Sequence, residues 1–229
     1  TENLTARIKF FDEKIFKIGD KEYREFNPFH SKLSAAIVKK ISLIPIKEKD
    51  KILYLGASHG YTASFVSDIV KEKGIVFCLD FAPRALRDLL FVCEKRLNMV
   101  PILANANKPE TYKKRITQVD VIYQDIAQKN QVEILFKNLE FLNQKGYVLI
   151  AIKSRSIDVT KSPQKIYKEV EEQLMNHNYN FADIDELLDE NCMIFFYDRR
   201  LTYRRWIYYY YRIMSPFMSF GPKGIFSSI

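Results

Sequence analysis

KILYLGASHGYTASFVSDIV, residues 51–70, decides the fold: the apolar run ILYL stops at Gly56, a short loop follows, and a segment of helical period begins at Tyr61. Short apolar runs of Ile, Val, Leu, Tyr and Phe without polar alternation are how strands covered on both faces read. The pattern recurs three times, as GIVFCLD ending at Asp80, VDVIYQD at Asp125 and YVLIAIK at Lys153. Stretches of helical period lie between and after them, over 61–72, 84–97, 130–142 and 162–175. Strands alternating with helices give an α/β fold with a doubly wound sheet. Right-handed crossovers then bring the carboxyl ends of the strands to one rim, where ligands sit. Gly56, Asp80, Asp125 and Lys153 are therefore expected to converge.

Outward from this core, residues 179–188 and 192–197 read as two more strands in a terminal antiparallel hairpin. A doubly wound sheet closed by such a hairpin is the layout of Rossmann-like S-adenosylmethionine-dependent methyltransferases rather than of dehydrogenases. Toward the amino terminus, RIKFF, KIFKI and EYREF are short alternating runs separated by DE and GD, the signature of a small antiparallel unit. Asn27-Pro28 breaks it, and Ser31 reads as the cap of a helix from Lys32 to about Ser42, ending before Pro45. The expected organisation is a β-rich module with its connecting helix over 1–49, a methyltransferase domain over 50–200, and a basic aromatic tail over 201–229.

Of 229 residues 47% are hydrophobic and seven are glycine, which fits a globular chain and excludes a fibrous or disordered one. Cys78, Cys93 and Cys192 have no paired spacing, and His30, His59 and His177 are equally scattered, so neither a disulfide framework nor a metal site is expected. No stretch approaches a membrane span and the amino terminus has no apolar leader core, which points to a cytosolic or nuclear protein. The net charge of +8 favours a polyanionic partner.

The loop Gly56-Ala57-Ser58-His59-Gly60-Tyr61-Thr62 lacks the GxGxxG of a dinucleotide site. A GxxxG loop with a hydroxyl behind it suits a smaller anion, such as a cofactor carboxylate, met by backbone N–H groups and Thr62 at a helix start. Asp80, ending the second strand, suits both hydroxyls of a ribose. His59 reads as a loop histidine.

Five segments in order carry a family resemblance: KEYREFNPFHSKLSAAI (21–37), KILYLGASHGYTASFVSDIV (51–70), NMVPILANANKPETY (98–112), VDVIYQDIAQ (119–128) and IKSRSIDVTKSP (152–163). Together they resemble fibrillarin, in its archaeal form, the 2′-O-methyltransferase subunit of box C/D ribonucleoproteins. The resemblance implies transfer of a methyl group from S-adenosyl-L-methionine to a ribose of pre-rRNA or tRNA. It implies a catalytic set of Lys32, Asp125 and Lys153. The implied cofactor set is Gly56, Ala57, Gly60, Tyr61, Thr62, Asp80, Phe81, Asn105, Ala106, Asp125 and Gln128, with no metal. It also implies a particle in which box C/D guide RNA pairs with the target RNA, held by a coiled-coil scaffold protein and, through the particle, a kink-turn-binding protein. Location would be cytoplasmic for the archaeal form and nucleolar for a eukaryotic one.

The chain departs from the family pattern at three places. Tyr61 stands where a threonine is usual and Asn105 where an aspartate is usual. Asn191-Cys192-Met193 replaces a DHA motif, removing a histidine grouped with the catalytic set. A neutral amide accepts more weakly than a carboxylate, so reduced cofactor affinity or rate is expected. These departures suggest one alternative, a structural subunit with reduced or lost catalysis, and the resemblance implies another, a methyltransferase for protein glutamine. The Arg- and Tyr-rich tail could stack on single-stranded RNA, pack on a protein partner, or do neither.

Overall fold

A computed structural model describes residues 1–39, 44–176, 181–186 and 192–198. The chain opens with a hairpin of β1 (Ile15–Ile18) and β2 (Lys21–Arg24), joined by Gly19-Asp20 and paired from Ile15↔Arg24 to Ile18↔Lys21. RIKFF, expected as a third strand, is not one. Arg7 has φ +67°, which ends any extended run, and the backbone N–H groups of Phe10 and Phe11 donate to the Glu13 carboxylate at 3.3 and 2.8 Å. Helix α1 (Lys32–Val38) starts where expected, with Ser31 Oγ accepting the Ser34 N–H at 3.3 Å, and the described part ends at Lys39.

The main sheet is built from β3 (Lys51–Leu55), β4 (Ile75–Asp80), β5 (Met99–Leu103), β6 (Val119–Gln124), β7 (Leu142–Lys153), β8 (Phe181–Glu186) and β9 (Cys192–Asp198). Its order is β5-β4-β3-β6-β7-β9-β8. The strands from β3 to β7 are mutually parallel, while β9 runs antiparallel to both β7 and β8, giving the expected terminal hairpin. The crossovers are α2 (Tyr61–Val70), α3 (Pro83–Cys93) and α4 (Gln131–Asn138), with α5 (Ser154–Ile157) and α6 (Pro163–Asn176) after β7.

Strand β5 was not expected, because Pro101 interrupts its apolar run. Proline is tolerated there because β5 is an edge strand that pairs only with β4. The residues it needs shorten α3, which ends at Cys93 rather than Leu97. Likewise α4 gives way to a 3₁₀ turn over Leu139–Phe141, and β7 begins at Leu142, earlier than its apolar run. The tail over 201–229, the DEN turn at 189–191 and the end of the helix expected to reach Ser42 lie outside the described residues.

Alternate residues of each central strand face two cores. On β3, Ile52 and Tyr54 pack with Leu33, Val66 and Leu89, while Leu53 and Leu55 pack with Ile134, Leu135 and Ile166. The hairpin is joined to α2 by a buried ionic cluster. Arg24 bonds Glu13 through Nε at 3.0 Å and Asp68 through a terminal nitrogen at 2.9 Å, and its guanidinium lies over the Phe65 ring at 4.1 Å. Arg96 pairs with the other Asp68 oxygen at 2.6 Å. Burial lowers the Arg96 pKa, with Asp68 opposing the shift. Because α1 follows β2 by a short connection, this cluster also fixes the segment that carries Lys32.

Candidate active site

In this strand order the chain reverses between β3 and β6, so the segments that follow those strands lead off in opposite directions and leave a crevice beyond the strand ends, the usual ligand position in an open α/β sheet. Gly56 ends β3 with φ +87°, and a Cβ added there would lie 2.5 Å from the Asp125 carbonyl oxygen and 2.9 Å from Ile126 Cγ2. The two loops thus meet backbone to backbone, which only glycine permits. The N–H groups of Gly56 and Ala57 both donate to the Leu79 carbonyl, at 2.9 and 3.1 Å, fixing the loop to β4. Gly60 caps α2 with φ +91°, and an added Cβ would sit 2.7 Å from Leu89 Cδ1.

Asp80 ties the next loop to this one. Its Oδ2 accepts the Ser58 N–H at 2.8 Å and its Oδ1 the Ala82 N–H at 2.9 Å. A carboxylate has roughly four acceptor sites, so lone pairs remain for a diol. Phe81 beside it is 63% exposed, an apolar face at the mouth. Asn105 Oδ1 accepts the Asn107 N–H at 2.9 Å, and the Ala106 carbonyl accepts from Asn138 Nδ2 at 2.9 Å, which holds the β5 loop in place.

Gly56, Ser58, Asp80, Phe81, Asn105 and Ala106 border a solvent-open cleft of about 190 Å³, together with Asp125, Ile126, Ala127, Gln128, Ile134 and Lys153. Three charged side chains meet at its edge. Lys153 Nζ lies 2.8 Å from Asp125 Oδ1 and donates to the Asp125 backbone carbonyl at 3.2 Å. Lys32 Nζ reaches over from α1 to Asp125 Oδ2 at 3.1 Å. The Asp125 side chain is only 12% exposed, so two ammonium groups share one largely shielded carboxylate and the trio carries a net positive charge.

The residues expected from sequence divide into two groups. Gly56, Asp80, Phe81, Asn105, Ala106, Asp125, Gln128 and Lys153 line the cleft. Lys32 is joined to it through Asp125. Ala57, Gly60, Tyr61 and Thr62 do not line it. Thr62 Oγ1 donates instead to Ser31 Oγ at 3.0 Å, linking the start of α2 to the cap of α1. The Tyr61 hydroxyl accepts the Asn27 N–H at 3.4 Å, and its ring packs on Phe11 and His30 with centroids 5.2 and 5.5 Å away. Partial burial raises the Tyr61 pKa. His59 is a loop residue with Nδ1 3.0 Å from Ser58 Oγ and Nε2 3.6 Å from Asp88. Cys192 and its neighbours lie where side chains are not described.

Sequence reading missed Ser58, Ala104, Ile126, Ala127 and Ile134 as lining residues. Their small or apolar side chains carry no chemical signature, and adjacency to the strand ends was the one available signal. Among the described residues, no group of His, Cys, Asp and Glu is arranged to hold a metal ion, and no helix is long and apolar enough to cross a membrane.

Comparison with known proteins gives this cleft a context. The fibrillarin family model matches residues 1–197. A fibrillarin-like rRNA/tRNA 2′-O-methyltransferase of Methanocaldococcus jannaschii is 53% identical over 184 residues, 80% of either chain. The crystal structure of Aeropyrum pernix fibrillarin with natively bound S-adenosyl-L-methionine superposes with a TM-score of 0.80 at 42% identity, covering 86% of this chain and 87% of that one. A fibrillarin in complex with Nop5p superposes with a TM-score of 0.78 at 35% identity, covering 85% of this chain and 91% of that one. With the family model spanning the hairpin, the crevice and the charged trio, this chain belongs to the fibrillarin family.

Proposed function

We propose that this chain is an S-adenosylmethionine-dependent RNA ribose 2′-O-methyltransferase, acting on rRNA and tRNA as the catalytic subunit of a box C/D ribonucleoprotein. The observation that carries the reading is the Lys32–Asp125–Lys153 trio at the edge of the cleft beyond the strand ends. The name of the Methanocaldococcus jannaschii relative and the cofactor in the Aeropyrum pernix structure support the activity. The Nop5p complex supports a scaffold protein as partner. Guide RNA, target RNA and a kink-turn-binding protein complete the proposed particle, which is cytoplasmic in an archaeal cell.

The lining fits S-adenosylmethionine. Asp80 has lone pairs left for the ribose diol, Phe81 and Ile126 supply apolar faces for the base, and Asn105 offers an amide at the β5 side. When bound, the cofactor supplies an electrophilic methyl carbon on a sulfonium. The chain's own task is then to place a 2′-oxygen in line with that carbon. Lys153 Nζ is the group placed to orient the hydroxyl: as the ammonium paired with Asp125 it donates to the 2′-oxygen, and only as the neutral amine would it take the hydroxyl proton. Asp125 holds both lysines, one on each carboxylate oxygen, and so offsets part of their charge beside the site. Lys32 fixes the second carboxylate oxygen, so the Asp125 side chain cannot rotate away from Lys153.

The test is a reconstituted particle with labelled cofactor. Asp125→Ala and Lys153→Ala are each expected to abolish methylation of the guided nucleotide while the particle still assembles. Full activity in both variants removes the assignment. Calorimetry with S-adenosylmethionine separates this reading from a purely structural subunit, which would give no heat.

A further inference from the structure

Strand β7 outlasts its neighbour. Its pairing with β6 stops at Gln124↔Ile150, yet it runs on to Lys153, which stays in register with Cys192 of β9 on the other side. The Lys153 backbone N–H and C=O therefore point to where β6 has already ended. One side chain takes both. Gln131 Oε1 accepts the Lys153 N–H at 3.1 Å, and Gln131 Nε2 donates to the Lys153 carbonyl at 3.2 Å. Gln131 is the first residue of α4 and only 1% exposed. Its own carbonyl accepts from Gln124 Nε2 at 2.8 Å, and Gln124 immediately precedes Asp125. Two buried amides thus connect the backbone next to Asp125 with the backbone of Lys153.

We infer that Gln131 sets the position of Lys153 against Asp125 and is a positioning residue for the methyl transfer; the inference rests on the reaction proposed above. A primary amide presents one donor and one acceptor in the geometry of a missing strand residue, which no apolar side chain of that length can do. Gln131 is not among the residues lining the cofactor cleft. Its effect should therefore reach the rate and leave cofactor binding alone. The contacts at stake are the 2.8 Å Lys153–Asp125 pair and the 3.2 Å bond from Lys153 to the Asp125 carbonyl.

The experiment uses Gln131→Met and Gln131→Glu in the reconstituted particle, with single-turnover methyl transfer from labelled S-adenosylmethionine at saturating RNA. Methionine fills the space without either bond. Glutamate accepts from the Lys153 N–H but donates to its carbonyl only when protonated, and burial raises the pH at which that happens. Gln131→Met is expected to slow transfer on the order of 10- to 100-fold, as a small misplacement does, with the cofactor Kd within about twofold of wild type. The ratio of Gln131→Glu to wild-type rate is expected to rise as pH falls from about 8 to about 6. Rates near wild type in both variants overturn the inference, and so does a loss in Gln131→Glu that is equal at every pH. Amide hydrogen exchange reads the same contact without turnover. In Gln131→Met the Lys153 amide should exchange faster while those of Val148 and Ile150 stay protected, and unchanged exchange at Lys153 also overturns it. A wild-type particle that transfers no methyl group would sink the proposed reaction, and the exchange result would still decide the positioning.

Discussion

Arg24→Met tests whether the buried cluster joins the amino-terminal hairpin to the sheet. The Arg24, Glu13, Asp68 and Arg96 side chains are all 0% exposed. Methionine retains most of the apolar stem of arginine and removes the charge. Asp68 keeps Arg96, the Thr1 hydroxyl and the Leu4 N–H, so it remains satisfied. Glu13 keeps the N–H groups of Phe10 and Phe11 but loses its direct ion pair, and its buried charge is then offset only by the more distant Arg96. Breaking a buried pair from one side costs about 3–5 kcal/mol, chiefly through the stranded partner. At about 2–4 °C per kcal/mol for a chain of this size, the melting temperature falls by about 6–20 °C. Neutralising the stranded group should restore part of this, because Glu13→Gln removes the buried charge and its one carbonyl oxygen still accepts the shorter of the two bonds, from the Phe11 N–H. Urea denaturation of the two single variants and Arg24→Met/Glu13→Gln closes the cycle, with the double variant expected to be more stable than Arg24→Met. A double variant that loses the sum of the two singles, or an Arg24→Met loss below about 1 kcal/mol, would refute the account, since it predicts a penalty from an uncompensated charge.

Three further outcomes are expected. Gly56→Ala forces a residue with a Cβ into φ +87° and against the Asp125 carbonyl, a left-handed penalty of about 1–2 kcal/mol before the clash is counted. Calorimetry should show S-adenosylmethionine binding weakened by about tenfold or more, and unchanged affinity would mean the two loops do not need that contact. Burial raises the Asp50 pKa, with Asp120 adding to it, so its carboxylate form opposes folding at neutral pH, and the opposition fades as pH falls through the raised folded value and is gone once the ordinary carboxylate range is passed. Asp50→Asn, which keeps an acceptor for the Lys47 N–H, should therefore be more stable than wild type at neutral pH in urea titrations, with the gap closing toward about pH 4. Cys78 and Cys93 are buried, burial pushes the Cys93 thiol up to about 12 and holds that of Cys78 well above the ordinary thiol range, and neither should react with a thiol reagent until the protein is denatured, as peptide mass spectrometry would read.

The alternation of strands and helices and the convergence of Gly56, Asp80, Asp125 and Lys153 are legible in the residues alone. Buried parallel strands must be continuously apolar, and a run that stops at a charged residue marks its own end. Periodicity also placed Ser31 as a cap, because a serine before a helix start satisfies a backbone N–H locally. Which strands are neighbours emerges in the folded chain. Pairing of β3 with β6 opens the crevice, and edge placement lets a proline-containing segment become β5. Folding also decides what each polar side chain near the loop does. Thr62 faces the α1 cap and Tyr61 the amino-terminal aromatics, because Ser31, Asn27 and Phe11 approach α2 only after folding. Contacts between Arg24 and Asp68, or between Gln131 and Lys153, join residues distant in the chain, and no local pattern of spacing or period encodes such partners.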